Sequence, residues 1–225
     1  MCGRYFRRSD KQRIAEAFRA GVPTTFEILP SYNVAPQSFQ PIVRLNEENS
    51  QRELALLRWG LIPFWAKDAK ISHSTINAKS ETVATSAMFR EALKRRRCLV
   101  PADGFYEWQT VDPKTKQPYA IGLADDSLFA FAGLWERWKD KITGQTLETY
   151  TVLTTEPNEL TAPIHNRMPV ILAPRDYERW LAPADPARLP VDLLRPRPAD
   201  EMKVWQVGVA VGNVRNNDPS LCNPA

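Results

Sequence analysis

Between Arg97 and Thr155 five strand-like runs follow one another, and this succession constrains the fold more than any other feature. The runs lie near 97–101, 104–109, 119–123, 128–138 and 148–155 and are rich in β-branched and aromatic residues. VDPKTKQP supplies a hairpin loop among them. Upstream, PIVRL (41–45) and ELALLRW (53–59) flank the polar turn NEENSQ, and MKVWQV (202–207) reads as a late strand. Helices are fewer. Ser9 or Asp10 can cap one that runs through Arg19 and ends at Gly21. Apolar spacing predicts a second from about Thr82 to Arg95, and 174–181 a short third. Gly60–Ser74 reads as a long loop, and the prolines between Pro183 and Pro198 as an extended surface connection. Strands and helices that do not alternate regularly predict one α+β domain over 1–225, mostly antiparallel or mixed in its sheets.

The chain is long enough, at 225 residues, to bury a sizeable core. Its net charge of +4 permits a polyanionic partner without demanding one. MCGRYFRRSD lacks the apolar stretch of a signal peptide, and no run reaches the 18 or so apolar residues of a membrane helix. Cys2, Cys98 and Cys222 are odd in number and widely spaced, which fits a reducing compartment and predicts a cytoplasmic protein. Two histidines and no close cysteine pair predict neither a metal nor a cofactor, and nothing requires more than a monomer.

Chemistry concentrates in four places. A residue as small as Cys2 normally lets Met1 be removed, leaving a terminus with an α-amine and a thiol on adjacent carbons. That amine titrates near 7.7–8.0, against about 10.4 for lysine, so about a tenth is free base at pH 7. It can attack an aldehyde, and the sulfur can close onto the resulting imine as a thiazolidine. It can equally act as an N-terminal nucleophile in acyl chemistry. Glu107 lies in DGFYEW among Phe105, Tyr106 and Trp108, surroundings that raise a carboxyl toward neutral pH. His165, between Pro163 and Pro169, titrates near neutrality. Asn77 precedes Lys79 and Glu81 in TINAKSE.

These segments are similar to those of the SRAP (SOS response-associated peptidase) family, proteins that handle abasic sites in DNA. The resemblance runs through MCGRY, YNVAP (32–36), RWGLIPFW (58–65), INAKSET (76–82), PADGFYEW (101–108), PIHNRMPVIL (163–172) and AVGNVRN (210–216). It implies a barrel-like SRAP domain that captures the ring-opened aldehyde of an abasic site in single-stranded DNA through a Cys2 thiazolidine. It also implies that Asn77 is an active-site amide, Glu107 an acid/base, His165 a catalytic histidine and Arg4 a DNA contact. Lys79 stands where several members carry arginine, keeping the charge without the bidentate fork.

Arg7 and Arg8 lie beside the nucleophile, where phosphates would pass. Phe64 and Trp65, beside Pro63 in a loop, are candidates to stack on bases; Trp59 fits the core better. The run 94–97 reads as the solvated end of a helix, Cys98 as a buried strand residue, and His73 receives no role. The leading expectation is an abasic-site sensor that cross-links covalently to DNA, with strand cleavage as a side activity and self-reversal. The alternatives are an autoproteolytic cysteine peptidase and a non-catalytic module for single-stranded DNA.

Overall fold

A computed structural model describes residues 2–22 and 24–225. Among the described residues thirteen strands form two sheets. In chain order they are β1 (Tyr5–Arg7), β2 (Ser31–Val34), β3 (Phe39–Leu45), β4 (Arg52–Trp59) and β5 (Asn77–Lys79). Then come β6 (Arg97–Ala102), β7 (Gly104–Thr110), β8 (Lys116–Leu123), β9 (Phe129–Lys139) and β10 (Thr146–Thr155). The last three are β11 (Met168–Pro169), β12 (Ile171–Leu172) and β13 (Met202–Gln206).

The larger sheet closes on itself. β10 pairs with β4, β4 with β3, β3 with β6, β6 with β9, and β9 returns to β10. The β10–β4 contact is the parallel one in this five-stranded barrel. β5 and β11 flank the far end of β10, and β12 lies on β9. The second sheet has the order β13-β8-β7-β1-β2. The α+β, barrel-like expectation holds.

Barrel strands are buried on both faces over their central residues, with exceptions such as Leu56, which is why their sequences read as apolar runs. Val43, Leu54, Leu99 and Leu134 pack outward against the helices. Ile42, Leu57, Val100 and Phe131 pack inward, in one layer with Cys2, Tyr5, Phe105 and Ile121 of the second sheet. That sheet's other face is covered by Val207, Val211 and Leu221 of the C-terminal segment. β6 and β9 approach closely at Gly133, where an added Cβ would lie 2.8 Å from Cys98 Sγ.

Among the described residues three α-helices decorate the barrel: α1 (Lys11–Phe18), α2 (Arg90–Arg95) and α3 (Tyr177–Leu181). Asp10 caps α1 through Arg13 N–H, and Arg19, not Gly21, ends it in the left-handed conformation (φ 51°). The helix expected from Thr82 shrinks to its last six residues. Over 82–89 the chain forms successive turns, in which Thr85 Oγ1 donates to the Thr82 carbonyl and Ser86 Oγ accepts from Met88 N–H. Hydroxyls competing for backbone partners explain the loss. The run 94–97 is not wholly a solvated end either. Arg97 is buried and donates to the carbonyls of Leu93, Lys94, Trp180 and Ala182, tying α2 to α3. Cys98 and Trp59 are core residues, as expected.

Candidate active site

Cys2 sits fully buried in the layer between barrel and second sheet. The expected loss of Met1 concerns a residue outside the described set. Strand alternation decides what faces Cys2. In β7, Phe105 points into this layer and Tyr106 and Trp108 pack on the opposite face, so Glu107 shares the Phe105 side. Glu107 is therefore walled by one of the three aromatics that surround it in sequence, and its desolvation comes from the barrel as well. Burial pushes its carboxyl up to about 7. Burial also raises the Cys2 thiol well above its ordinary range, and the nearby charge of Glu107 raises it further.

Asn77 is the next member. β5 lies parallel to β10, with Asn77 opposite Val152. Its Nδ2 donates to the Cys2 carbonyl at 2.9 Å, pinning the backbone that carries the Cys2 thiol. The indole N–H of Trp59 holds the preceding Ile76 carbonyl at 2.8 Å, which fixes the start of β5 from inside the core.

His165 lies in the loop before β11. Its Nδ1 lies 3.0 Å from Arg167 N–H and 3.2 Å from the Arg167 carbonyl, so the Arg167 backbone holds the ring by that nitrogen. Desolvation lowers its pKa. Gln109 of β7 donates to the Pro163 carbonyl at 3.0 Å and ties this loop to the strand bearing Glu107.

A clamp joins the arms that bear Asn77 and His165. Arg167 forms a bidentate pair with Glu81, at 2.5 and 3.0 Å, and donates to the Thr154 carbonyl at 2.7 Å. It crosses the end of β10 between the chain leaving β5 and the chain entering β11. Both residues lie in matched motifs, but their separation of 86 positions gives no sequence signal that they meet.

The nucleic-acid candidates divide. Lys79 is exposed and shares the strand face of Asn77, and Phe64 and Trp65 remain 54% and 45% exposed. Arg4 is tied to β2 and the C-terminal segment. It lies on the opposite face from Tyr5, donating to Asn33 Oδ1 at 2.7 Å and the Val211 carbonyl at 3.0 Å, 5.8 Å over the Trp108 ring. Arg7 is buried against the Ser9 and Leu29 carbonyls, and Arg8 lies 3.7 Å from Asp126. All three lie beside Cys2 in the sequence; Arg4 and Arg7 also make structural contacts, and Arg4 stays partly exposed. Among the described residues no cluster of three metal-binding side chains occurs, and no helix is long and apolar enough to cross a membrane.

Comparison with known proteins shows the family and the fold. Residues 1–214 match the family model described as SOS response associated peptidase (SRAP). The chain belongs to the SRAP family. The abasic site processing protein YoqW of Bacillus subtilis is 47% identical over 98% of both chains. The abasic site processing protein HMCES of Gallus gallus is 35% identical over 87% of this chain and 66% of its own. A crystal structure of a Bacteroides thetaiotaomicron protein superposes with a TM-score of 0.86 at 28% identity, covering 100% of both chains. The SRAP relatives thus carry names that speak of abasic sites, while the family description speaks of a peptidase.

Proposed function

We propose that this protein captures abasic sites in single-stranded DNA as a covalent adduct of Cys2, after Met1 has been removed. The observation that carries the proposal is the state of Cys2: sulfur buried, thiol pKa raised, carbonyl pinned by Asn77, Glu107 close by. A cysteine peptidase needs a thiolate at neutral pH, which electropositive and partly exposed surroundings supply. This site does the reverse, which favours a mechanism in which the amine attacks first and sulfur follows.

The free amine of Cys2 adds to the sugar aldehyde, and a proton from Glu107 lets the carbinolamine oxygen leave as water. Loss of water leaves a protonated imine; sulfur adds to its carbon, and the thiol proton returns to the Glu107 carboxylate, which restores the acid. A carboxyl titrating near neutral pH suits both transfers. His165, its Nδ1 held by the Arg167 backbone, serves to open the closed hemiacetal. The imine also permits β-elimination as a side reaction, and reversal uses the same groups in the opposite order. Lys79, Phe64 and Trp65 are the side chains available to meet phosphate and bases, and the working unit is a monomer.

Intact-mass analysis tests this directly. The protein is mixed with a single-stranded oligonucleotide carrying one abasic site, with an undamaged strand as control. The expected product lacks Met1, forms with the damaged strand and persists without borohydride. A chain with one residue added before Cys2 should bind DNA but not cross-link. Equal cross-linking by that chain through sulfur would overturn the thiazolidine mechanism.

A further inference from the structure

The barrel end remote from Cys2 carries a second concavity. Leu45 pairs with Arg52 and Arg97 with Leu134 at that end, whereas Asn77, Lys79 and Met168 flank residues 152–155 at the other. Two cavities of about 530 Å³ each meet there and share Leu45, Ser50, Leu181 and Pro183. One extends over Lys94, Arg95 and Arg97 to Trp135. The other extends over Arg52 at the start of β4 and Arg19 after α1. No residue of this surface takes part in the chemistry proposed above.

Its charge is unbalanced. Arg97 spends its donors on carbonyl oxygens, and Arg52 donates to the Phe18 carbonyl. Carbonyls satisfy hydrogen bonds but leave the positive charge standing. Arg19 and Arg95 are exposed. Of the lining carboxylates, Glu91 is paired with Lys94 and Glu47 with Arg137. Four guanidinium groups therefore face one carboxylate, Glu178, that has no ion pair among the described residues. The arginines lie toward the two ends of the concavity, and the apolar Leu45, Leu181 and Pro183 form its waist.

We infer that this groove docks an extended acidic segment of a partner protein, with an apolar side chain on the Leu45–Leu181–Pro183 waist and carboxylates at the arginines on either side. The forks of exposed Arg19 and Arg95, one toward each end, match carboxylates in bidentate geometry, while Arg52 and Arg97 add charge; a wall containing Pro183 and Pro186 loses little freedom on binding. Undamaged nucleic acid fits less well. Its charge is continuous, so phosphates would pass Glu47 and Glu178, and the waist offers an apolar seat that a phosphate backbone cannot use. Because the groove and Cys2 occupy opposite ends of the barrel, a docked partner leaves the reactive end open. The inference goes beyond the proposed function and stands or falls separately from it.

Fluorescence anisotropy tests it with a labelled synthetic ten-residue peptide carrying aspartates on both sides of a central Phe-Leu. The comparison peptide has lysine in place of each aspartate. The acidic peptide should bind saturably, weaken with added salt and bind at least about tenfold tighter than the lysine peptide. The double variant Arg19→Glu/Arg95→Glu changes two exposed residues, and Pro183→Glu puts a carboxylate on the waist. Each should weaken the peptide roughly tenfold or more while the rate of cross-linking to abasic DNA stays unchanged. No saturation at millimolar peptide, equal binding of both peptides, or indifference to both variants overturns the inference. Displacement of the peptide by a stoichiometric amount of undamaged single-stranded DNA also overturns it, by assigning the groove to nucleic acid.

Discussion

Glu107→Gln should move activity and stability in opposite directions. Burial takes this carboxyl from an ordinary 4.5 to about 7. At about 1.36 kcal/mol per pH unit, ionising it inside the protein costs the folded state about 3 kcal/mol. The sign follows from the folded value being the higher one. The group's contribution to stability is fully present below about pH 4.5 and is lost as pH rises through about 7. Glutamine keeps the shape and does not titrate. Urea denaturation of both proteins at pH 4.5 and pH 8.5 therefore reads the effect as a difference of differences, in which groups common to both, His165 included, cancel. The variant's stability relative to the parent should rise by about 3 kcal/mol between the two pH values. Over the same range, adduct formation with an abasic oligonucleotide should slow by about 10²–10⁴-fold, the usual worth of a positioned acid/base. A variant that loses stability at pH 8.5 relative to pH 4.5 would refute the desolvation argument. One that cross-links at the parent rate would remove the acid/base role.

Further perturbations separate the site's other parts. Glu81→Gln breaks the pair that steers Arg167 and, through it, His165; because Glu81 is half exposed, stability should fall by less than about 1 kcal/mol. Cross-linking should nevertheless slow roughly tenfold and recover partly in Glu81→Asp, as single-turnover kinetics would show. Arg4→Ala should lower stability by about 1.5–3 kcal/mol in thermal melts and expose the segment after Gly208 to protease, with affinity for single-stranded DNA little changed. Lys79→Ala, by contrast, should weaken that affinity and reduce the salt dependence by about 0.7 of a charge, read by anisotropy in a salt titration. Gly104→Ala puts a Cβ 2.2 Å from Phe6 Cζ and should cost about 1–3 kcal/mol in urea denaturation.

What the sequence reveals and what it hides follow from the range of the interactions involved. Strands β3, β4 and β6 to β10 are legible because each combines β-branched and aromatic residues with burial that its own side chains provide. β1, β2 and β5 are not, having three or four residues each and existing through partners far along the chain: Tyr5 opposite Val34 and Phe105, Asn77 opposite Val152. The reactive groups are legible as types, since a penultimate cysteine, a carboxylate among aromatics and a histidine between prolines are visible in one dimension. Their orientation is not. Arg4 and Glu107 both sit near Cys2 in the fold, and strand parity sends one to the outer face and the other to the inner.

That parity explains how two neighbouring strands serve chemistry and stability at once. On β1 and β7, Tyr5, Phe105 and Glu107 face the layer that encloses Cys2, while Phe6, Tyr106 and Trp108 face the C-terminal cover. The Tyr5 and Tyr150 hydroxyls lie 3.0 Å apart, binding β1 to the same β10 that holds Asn77 and Thr154. The inner face can then tolerate a carboxyl with a perturbed pKa, because the outer face supplies compensating packing. On the chemistry proposed here, burial of sulfur sets the order of bond formation. A thiol held protonated waits while the amine reacts, and it acts once an imine carbon is placed beside it. An exposed thiolate at the same terminus would react with any oxidant or electrophile that reached it, and selectivity for an aldehyde would be lost.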